Sequence, residues 1–396
     1  MALNLGAGIL IVRWLSVQEY GYYVIGCLLQ MIVAQFSDIG LTNCINALAS
    51  SNGNRQSEII KIYNAAWQYR KKLIPIALFL MTIIGILIFH KQTLSTINLL
   101  LICLIAASSG LLLSAINMTK ASLNASQNVR LLFRIGLIEA LFRFCLSFLC
   151  LIFSSAELAL FINLVSLLFA WLLAKSYIPN ADAMFDLGNY SDEVRNFVNP
   201  LIISVVYSTI QGNLGIAILG FFGAINFVAQ TGALGRLGQL LGFFLLLNQF
   251  WVQPHFSQIR SLASFRSSLS KMILVLLTIG AIVMISTYLI PSAWLWILGV
   301  GYKSLDLELK LALFSSILAG YYAVFYAVVL AMRATKGQIW YVVLGVSLQV
   351  LFLFLFKIST TLDALMLSLL PNLAGLIIQI FIISRYLRAS AWVNRG

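Results

Sequence analysis

The chain has 396 residues, of which 61% are hydrophobic and 9% charged, and its mean hydropathy is +0.97. A soluble globular domain does not reach these values, so the sequence describes a polytopic membrane protein. A net charge of +13 would suggest nucleic acid as the partner of a soluble chain, but in a membrane protein it reports basic cytoplasmic links.

The first apolar residues, Gly6 to Val12, run straight into Arg13 without the pattern of a cleavable signal peptide. The thirteen residues up to Arg13 rise only about 20 Å as a helix, against a hydrocarbon core of about 30 Å. We therefore expect the first helix to be truncated, or Met1 to be an internal start. From Leu15 to Ser50 the sequence reads as a polar turn with Glu19 and Gly21, then an apolar helix from Tyr20. That helix carries one carboxylate, in Asp38-Ile39-Gly40-Leu41. Tyr20 to Leu48 is longer than the ~20 residues a span needs, so Asp38 falls inside a span.

Ser50 to Lys72 reads as a polar link holding Arg55, Lys61 and Arg70-Lys71-Lys72. Further spans are predicted over 73–89, 93–116, 135–153 and 158–174, followed by a longer polar link to Phe197. The second half offers spans over 198–219, 223–250, 272–290, 307–331, 339–356 and 365–383. With the short first helix the total is about twelve, all α-helical. Placing both termini in the cytoplasm puts 18 of the 25 basic residues in inner links and 4 in outer links. The remaining three, Arg143, Arg236 and Lys310, lie within spans. This asymmetry sets the orientation and removes nucleic acid as a partner.

Sliding the chain along itself by about 204 residues sets Gly21-Tyr22-Tyr23-Val24 beside Ile225-Asn226-Phe227-Val228. Span order and loop placement repeat with it, as in parallel six-helix repeats of transporters. We expect an N-terminal six-helix lobe over 1–178, a cytoplasmic linker over 179–197 and a C-terminal six-helix lobe over 198–396, with a central cavity. The five cysteines lie in apolar spans with no CxxC pair, and His90 and His255 stand far apart, so neither a disulfide framework, a metal site nor a cofactor is expected.

The Leu-Ser-x-x-Glu-Tyr-Gly turn, the apolar helix and the Asp-x-Gly-Leu phrase together resemble the second helix of Wzx-type polysaccharide flippases of the MOP superfamily. Ile297-Leu298-Gly299-Val300-Gly301-Tyr302 resembles that family's outer link between spans nine and ten. Peptidoglycan lipid flippases and, more distantly, multidrug exporters share these patterns. The resemblance implies translocation of an undecaprenyl-diphosphate-linked sugar unit, such as an O-antigen repeat, across the bacterial inner membrane by alternating access. It implies no enzymatic activity, and as partners the lipid-linked oligosaccharide, membrane lipids and other polysaccharide-assembly proteins.

A charge near the bilayer midplane costs roughly 2.5 to 3.5 kcal/mol on insertion scales, so each such residue needs a reason. Arg236 sits among small residues in Gly232-Ala233-Leu234-Gly235-Arg236-Leu237-Gly238-Gln239, where a guanidinium fork can meet diphosphate oxygens. The bland alternative is an arginine satisfied by backbone carbonyls or by Gln239. Glu139 and Arg143, four residues apart, are expected to pair on one helix face, either as a purely structural pair or as one that Arg143 leaves when an anion arrives. Asp38 and Glu139 are the candidate ion-coupling acids, and Asp38 serves alternatively as a fixed hydrogen-bonding group. Ser204, Ser208 and Gln211 share a face of the seventh span. With Asn213, Asn226, Gln230 and Gln239 they suit sugar hydroxyls, or ordinary interhelical hydrogen bonds.

Two other classes compete. A polytopic polymerase or ligase needs an extramembrane loop to hold acceptor and catalytic groups, and the outer links here are short. A drug exporter favours acidic cavity groups for cationic drugs, whereas an anionic lipid carrier favours arginines such as Arg143 and Arg236.

Overall fold

A computed structural model describes residues 2–51, 56–92, 94–176, 190–199, 202–242, 244, 251–252, 255–256, 259, 261–332 and 337–388, with backbone alone at 2, 50, 51, 203, 204 and 208. Among the described residues all regular structure is helical. The helices are α1 (Ala2–Trp14), α2 (Val17–Asp38), α3 (Leu41–Ser51), α4 (Gln56–Phe89), α5 (Thr96–Ala125), α6 (Val129–Ser147), α7 (Ala156–Lys175), α8 (Tyr190–Val198), α9 (Ile202–Phe221) and α10 (Ile225–Gln239). After them come α11 (Leu262–Leu289), α12 (Pro291–Leu298), α13 (Asp306–Ala331), α14 (Ile339–Leu355) and α15 (Thr361–Arg388).

Six of these, α4, α5, α7, α11, α13 and α15, are long and apolar enough to cross a membrane, and the bent pair α2–α3 makes a seventh. The other expected spans correspond to α1, α6, α9, α10 and α14. Of these α1, α10 and α14 are short, with 13, 15 and 17 residues, while α6 carries Arg130, Arg134, Glu139 and Arg143 in 19. Serine N-caps open several elements. Ser16, Ser95, Ser155 and Ser261 each accept from the backbone N–H three residues on, satisfying a donor that a helix start otherwise leaves unpaired.

Two expectations are corrected. The polar link over 50–72 is largely helix: α4 starts at Gln56 and continues through Pro75, so Arg70, Lys71 and Lys72 ride on one long helix. The second span is not one helix from Tyr20 to Leu48. It breaks after Asp38, where Ile39 (φ 34°) and Gly40 (φ 84°) take left-handed backbone, and α3 leaves at 41° to α2. Left-handed geometry cannot continue an α-helix.

The chain divides into two compact units, Met1–Ala229 and Gln230–Gly396. In the first, α2 is surrounded by α4, α5 and α7. Glycines permit that closeness: a Cβ on Gly110 of α5 would lie 2.7 Å from the Gln30 carbonyl of α2, and one on Gly26 would collide with Leu160 of α7. A satellite core joins Leu41, Ile45, Ile62, Tyr63 and Met118 with Val194 and Val198 of α8. The helix α9, which the internal repeat assigns to the C-terminal half, packs on α2 and α4. In the second unit α13 and α15 form the central pair, with Gly375 of α15 fitted under the ring of Tyr322. The outer faces are apolar: Leu274, Leu277, Ile282 and Ile285 of α11 and Val350, Leu351 and Phe354 of α14 are exposed, as a lipid-facing surface requires.

Candidate functional site

The residues of the Leu-Ser-x-x-Glu-Tyr-Gly turn each hold a different element. Ser16 caps α2. Glu19 reaches across to α7, where its Oε2 accepts from the backbone N–H of Ala156 at 2.8 Å, a carboxylate on the positive end of a helix. Ser154, just before that helix, donates to the Trp14 carbonyl at 3.0 Å. Gly21 is needed for contact: a Cβ there would lie 2.7 Å from the carbonyl oxygen of Ile225, at the start of α10. The turn is a clasp joining α1, α2, α7 and α10.

Asp38 closes the break that follows. Its Oδ1 accepts from the Thr42 hydroxyl at 2.8 Å and from the Thr42 backbone N–H at 3.2 Å, so it caps the first turn of α3. It is half-buried. This is the fixed hydrogen-bonding geometry that the sequence offered as an alternative to ion coupling.

The pairing expected between Glu139 and Arg143 does not form. Glu139 Oε2 is taken by Lys120 Nζ of α5 at 2.8 Å. An ammonium on the neighbouring helix competes with a guanidinium one turn away on α6, and here the neighbour wins. Arg143 instead donates from Nη2 to the Tyr23 hydroxyl of α2 at 3.2 Å, and its buried Nε has no hydrogen-bond partner among the described residues.

Arg236 lies in the last turn of α10, followed by a short 3₁₀ segment over Leu240–Gly242, and is not at the centre of one continuous helix over 223–250. A helix C-terminus favours a cation, which lowers the cost of placing it there. Its Nη1 donates to Gln239 Oε1 at 3.3 Å, so these two candidates come together. Gln211 is half-buried on α9, and Asn213 donates to the Thr209 carbonyl at 3.0 Å, one turn back on the same helix. The side chains of Ser204 and Ser208 lie outside the described residues. Gln230 accepts from Thr361 of α15 at 2.6 Å, and Lys310 sits 4.6 Å from the ring centre of Tyr288.

Sequence reasoning missed Arg70. It is 4% exposed, donates from Nε to Ser114 of α5 at 3.0 Å and from Nη2 to the Leu111 carbonyl, and lies 4.7 Å above the Trp67 ring. Trp67 stacks in turn on Tyr63, whose hydroxyl meets Thr119 at 3.4 Å. The signal was present as Tyr63, Trp67 and Arg70 at i, i+4 and i+7, one face of a helix, while Lys71 and Lys72 point out and are exposed. A second buried polar pair, Asn163 of α7 donating to Gln30 of α2 at 2.7 Å, also went unnoticed. Among the described residues neither Arg70 nor Arg143 has a carboxylate within salt-bridge distance. Asp38 and Glu139, by contrast, each have a described hydrogen-bond partner, and the Asp38 charge acts on Arg70 from beyond contact.

Comparison with solved structures finds matches over nearly the whole length. The lipid II flippase MurJ, in an inward closed conformation, aligns with a TM-score of 0.74 at 15% identity, covering 97% of this chain and 85% of MurJ. An inward-facing multidrug resistance MATE transporter of the MOP superfamily aligns with a TM-score of 0.68 at 14% identity, covering 100% of this chain and 95% of the other. The chain has the fold of these transporters. No protein-family model matches the sequence, and no curated protein matches it. The similarity is thus one of fold, and the fold class expected from the sequence, a polytopic all-α membrane protein with two lobes, is the one found.

Proposed function

We propose that this protein is a flippase for an undecaprenyl-diphosphate-linked oligosaccharide, an O-antigen or similar surface-polysaccharide repeat unit. In this reading it moves that substrate across the bacterial inner membrane by alternating access, with both termini cytoplasmic. The observation that carries the proposal is Arg143 of α6: its guanidinium donates to a neutral phenol, and its buried Nε–H has no acceptor among the described residues. A half-buried cation with no carboxylate in contact is costly among apolar helices, and an anionic substrate that completes it removes the cost while transport proceeds. The diphosphate of a lipid-linked sugar supplies such an anion, and the shared fold with a protein named as a lipid II flippase supports the same substrate chemistry.

The multidrug-exporter reading draws on the equally shared fold of MATE transporters. Among the described residues, the two candidate acids are engaged, Asp38 in capping α3 and Glu139 in holding Lys120, which leaves this reading with less support.

The test uses Arg236, the arginine whose small neighbours in the sequence leave room for phosphoryl oxygens. In a flippase-deficient strain, surface polysaccharide is scored per unit of membrane-inserted protein. Arg236→Lys should lose much of the activity, since a point charge replaces a two-point fork, and Arg236→Ala nearly all, with abundance close to wild type. Full activity in Arg236→Ala at normal abundance would take this residue out of the substrate path.

A further inference from the structure

Glu139 and Arg143 stand one turn apart on α6, the spacing at which a carboxylate and a guanidinium join on a helix surface. Lys120 prevents it. Its Nζ lies 2.8 Å from Glu139 Oε2, and the two side chains are 27% and 15% exposed, so the pair is largely withdrawn from solvent and its attraction is weakly screened. Arg143 is left with Tyr23, whose fully buried ring fixes the hydroxyl that accepts from Nη2. A phenol satisfies one N–H and cancels no charge. The buried Nε–H, unmatched among the described residues, belongs to the edge of the guanidinium that can grip two oxygens of a phosphoryl group at once.

We infer that Lys120 is a positioning residue for substrate: by occupying Glu139, it keeps the Arg143 guanidinium open to the phosphoryl oxygens of a lipid diphosphate. This rests on the flippase reading above, and it assigns the ion pair a task other than fastening α5 to α6. Removing Lys120 frees Glu139 to swing one turn along its own helix and cap Arg143, an internal anion in the place of the external one. Removing the Glu139 charge as well restores the open guanidinium. A pair that only fastened helices would behave in the opposite way, because losing either partner would break the same link and losing both would mend nothing.

The experiment measures binding of farnesyl diphosphate and of inorganic pyrophosphate to the purified full chain in detergent, by calorimetry, with a melting temperature recorded for every variant. Wild type should bind farnesyl diphosphate more tightly than pyrophosphate, and Arg143→Ala should lose that binding. Lys120→Met should weaken it by about tenfold, a modest share of what a carboxylate within about 4 Å of the guanidinium can compete for. Glu139→Gln should bind at least as tightly as wild type, and Lys120→Met/Glu139→Gln should return to within about threefold of it. Wild-type affinity in Lys120→Met, or a double variant as weak as Lys120→Met, overturns the inference while leaving the flippase reading intact. If Lys120→Met does not fold, Glu139→Gln decides alone: retained binding supports the inference, and a loss equal to that of Arg143→Ala overturns it. A wild-type protein that binds neither compound removes the lipid-diphosphate reading and this inference together. Pyrophosphate bound as tightly as farnesyl diphosphate rejects a lipid as the source of the anion.

Discussion

Gly110→Ala tests the packing that holds the first unit together. A Cβ at this position would lie 2.7 Å from the Gln30 carbonyl oxygen and 2.7 Å from Val33 Cβ, both on α2. Ordinary contact begins near 3.4 Å, so α2 and α5 must separate by several tenths of an ångström or more, and neither close atom is the end of a flexible side chain. Overpacking of this kind costs about 1 to 3 kcal/mol. Alanine's better helix propensity offsets at most about 1 kcal/mol of it. Gly136 of α6 provides the control, because nothing lies within 4 Å of the Cβ it would gain. Gly136→Ala should be neutral or stabilising, by up to about 1 kcal/mol. Thermal unfolding of the two variants in the same detergent, with membrane-inserted abundance measured in parallel, gives the comparison. Gly110→Ala should melt below wild type and Gly136→Ala at or above it. Equal melting of the two variants would refute the claim that α2 and α5 are in contact through that glycine.

Two further outcomes follow from the hydrogen bonds. Glu19→Ala should destabilise the protein by about 1 kcal/mol through loss of the carboxylate at the start of α7, and Glu19→Gln, which keeps an acceptor oxygen, should lose less; identical melting of all three forms would remove the clasp. Asp38→Asn keeps an oxygen for Thr42, so a purely capping role predicts normal abundance and normal transport; normal abundance with transport abolished would return Asp38 to ion coupling.

The membrane class and the helices were legible because hydrocarbon imposes length and apolarity on every span, and those are read directly from residues. What escaped was angular and partner information. Arg70-Lys71-Lys72 reads as a charged link, yet successive helical residues turn by about 100°, and that rotation sends Arg70 inward against Ser114 while its neighbours face out. The spacing of Glu139 and Arg143 correctly gave their reach but could not reveal Lys120, which a helix turn brings back from nineteen residues earlier. Glu19 and Gly21 stood out as a pattern, but their partners are Ala156 and Ile225, far along the chain and invisible to local reading. The break at Asp38-Ile39-Gly40 was signalled by its glycine, and the run of apolar residues on both sides masked it. Two of the candidate serines, Ser204 and Ser208, stay where the sequence left them.

The central claim is that the chain carries an anionic, lipid-linked sugar, and reconstitution measures that most directly. Proteoliposomes holding a polyprenyl-diphosphate oligosaccharide are exposed to a lectin on one side only, and the fraction of sugar reached is followed over time. The account predicts exchange between leaflets well above that of protein-free liposomes, lost in Arg236→Ala and Arg143→Ala at equal reconstitution. Exchange no faster than in protein-free liposomes, together with extrusion of a cationic dye by the same preparation, would contradict it.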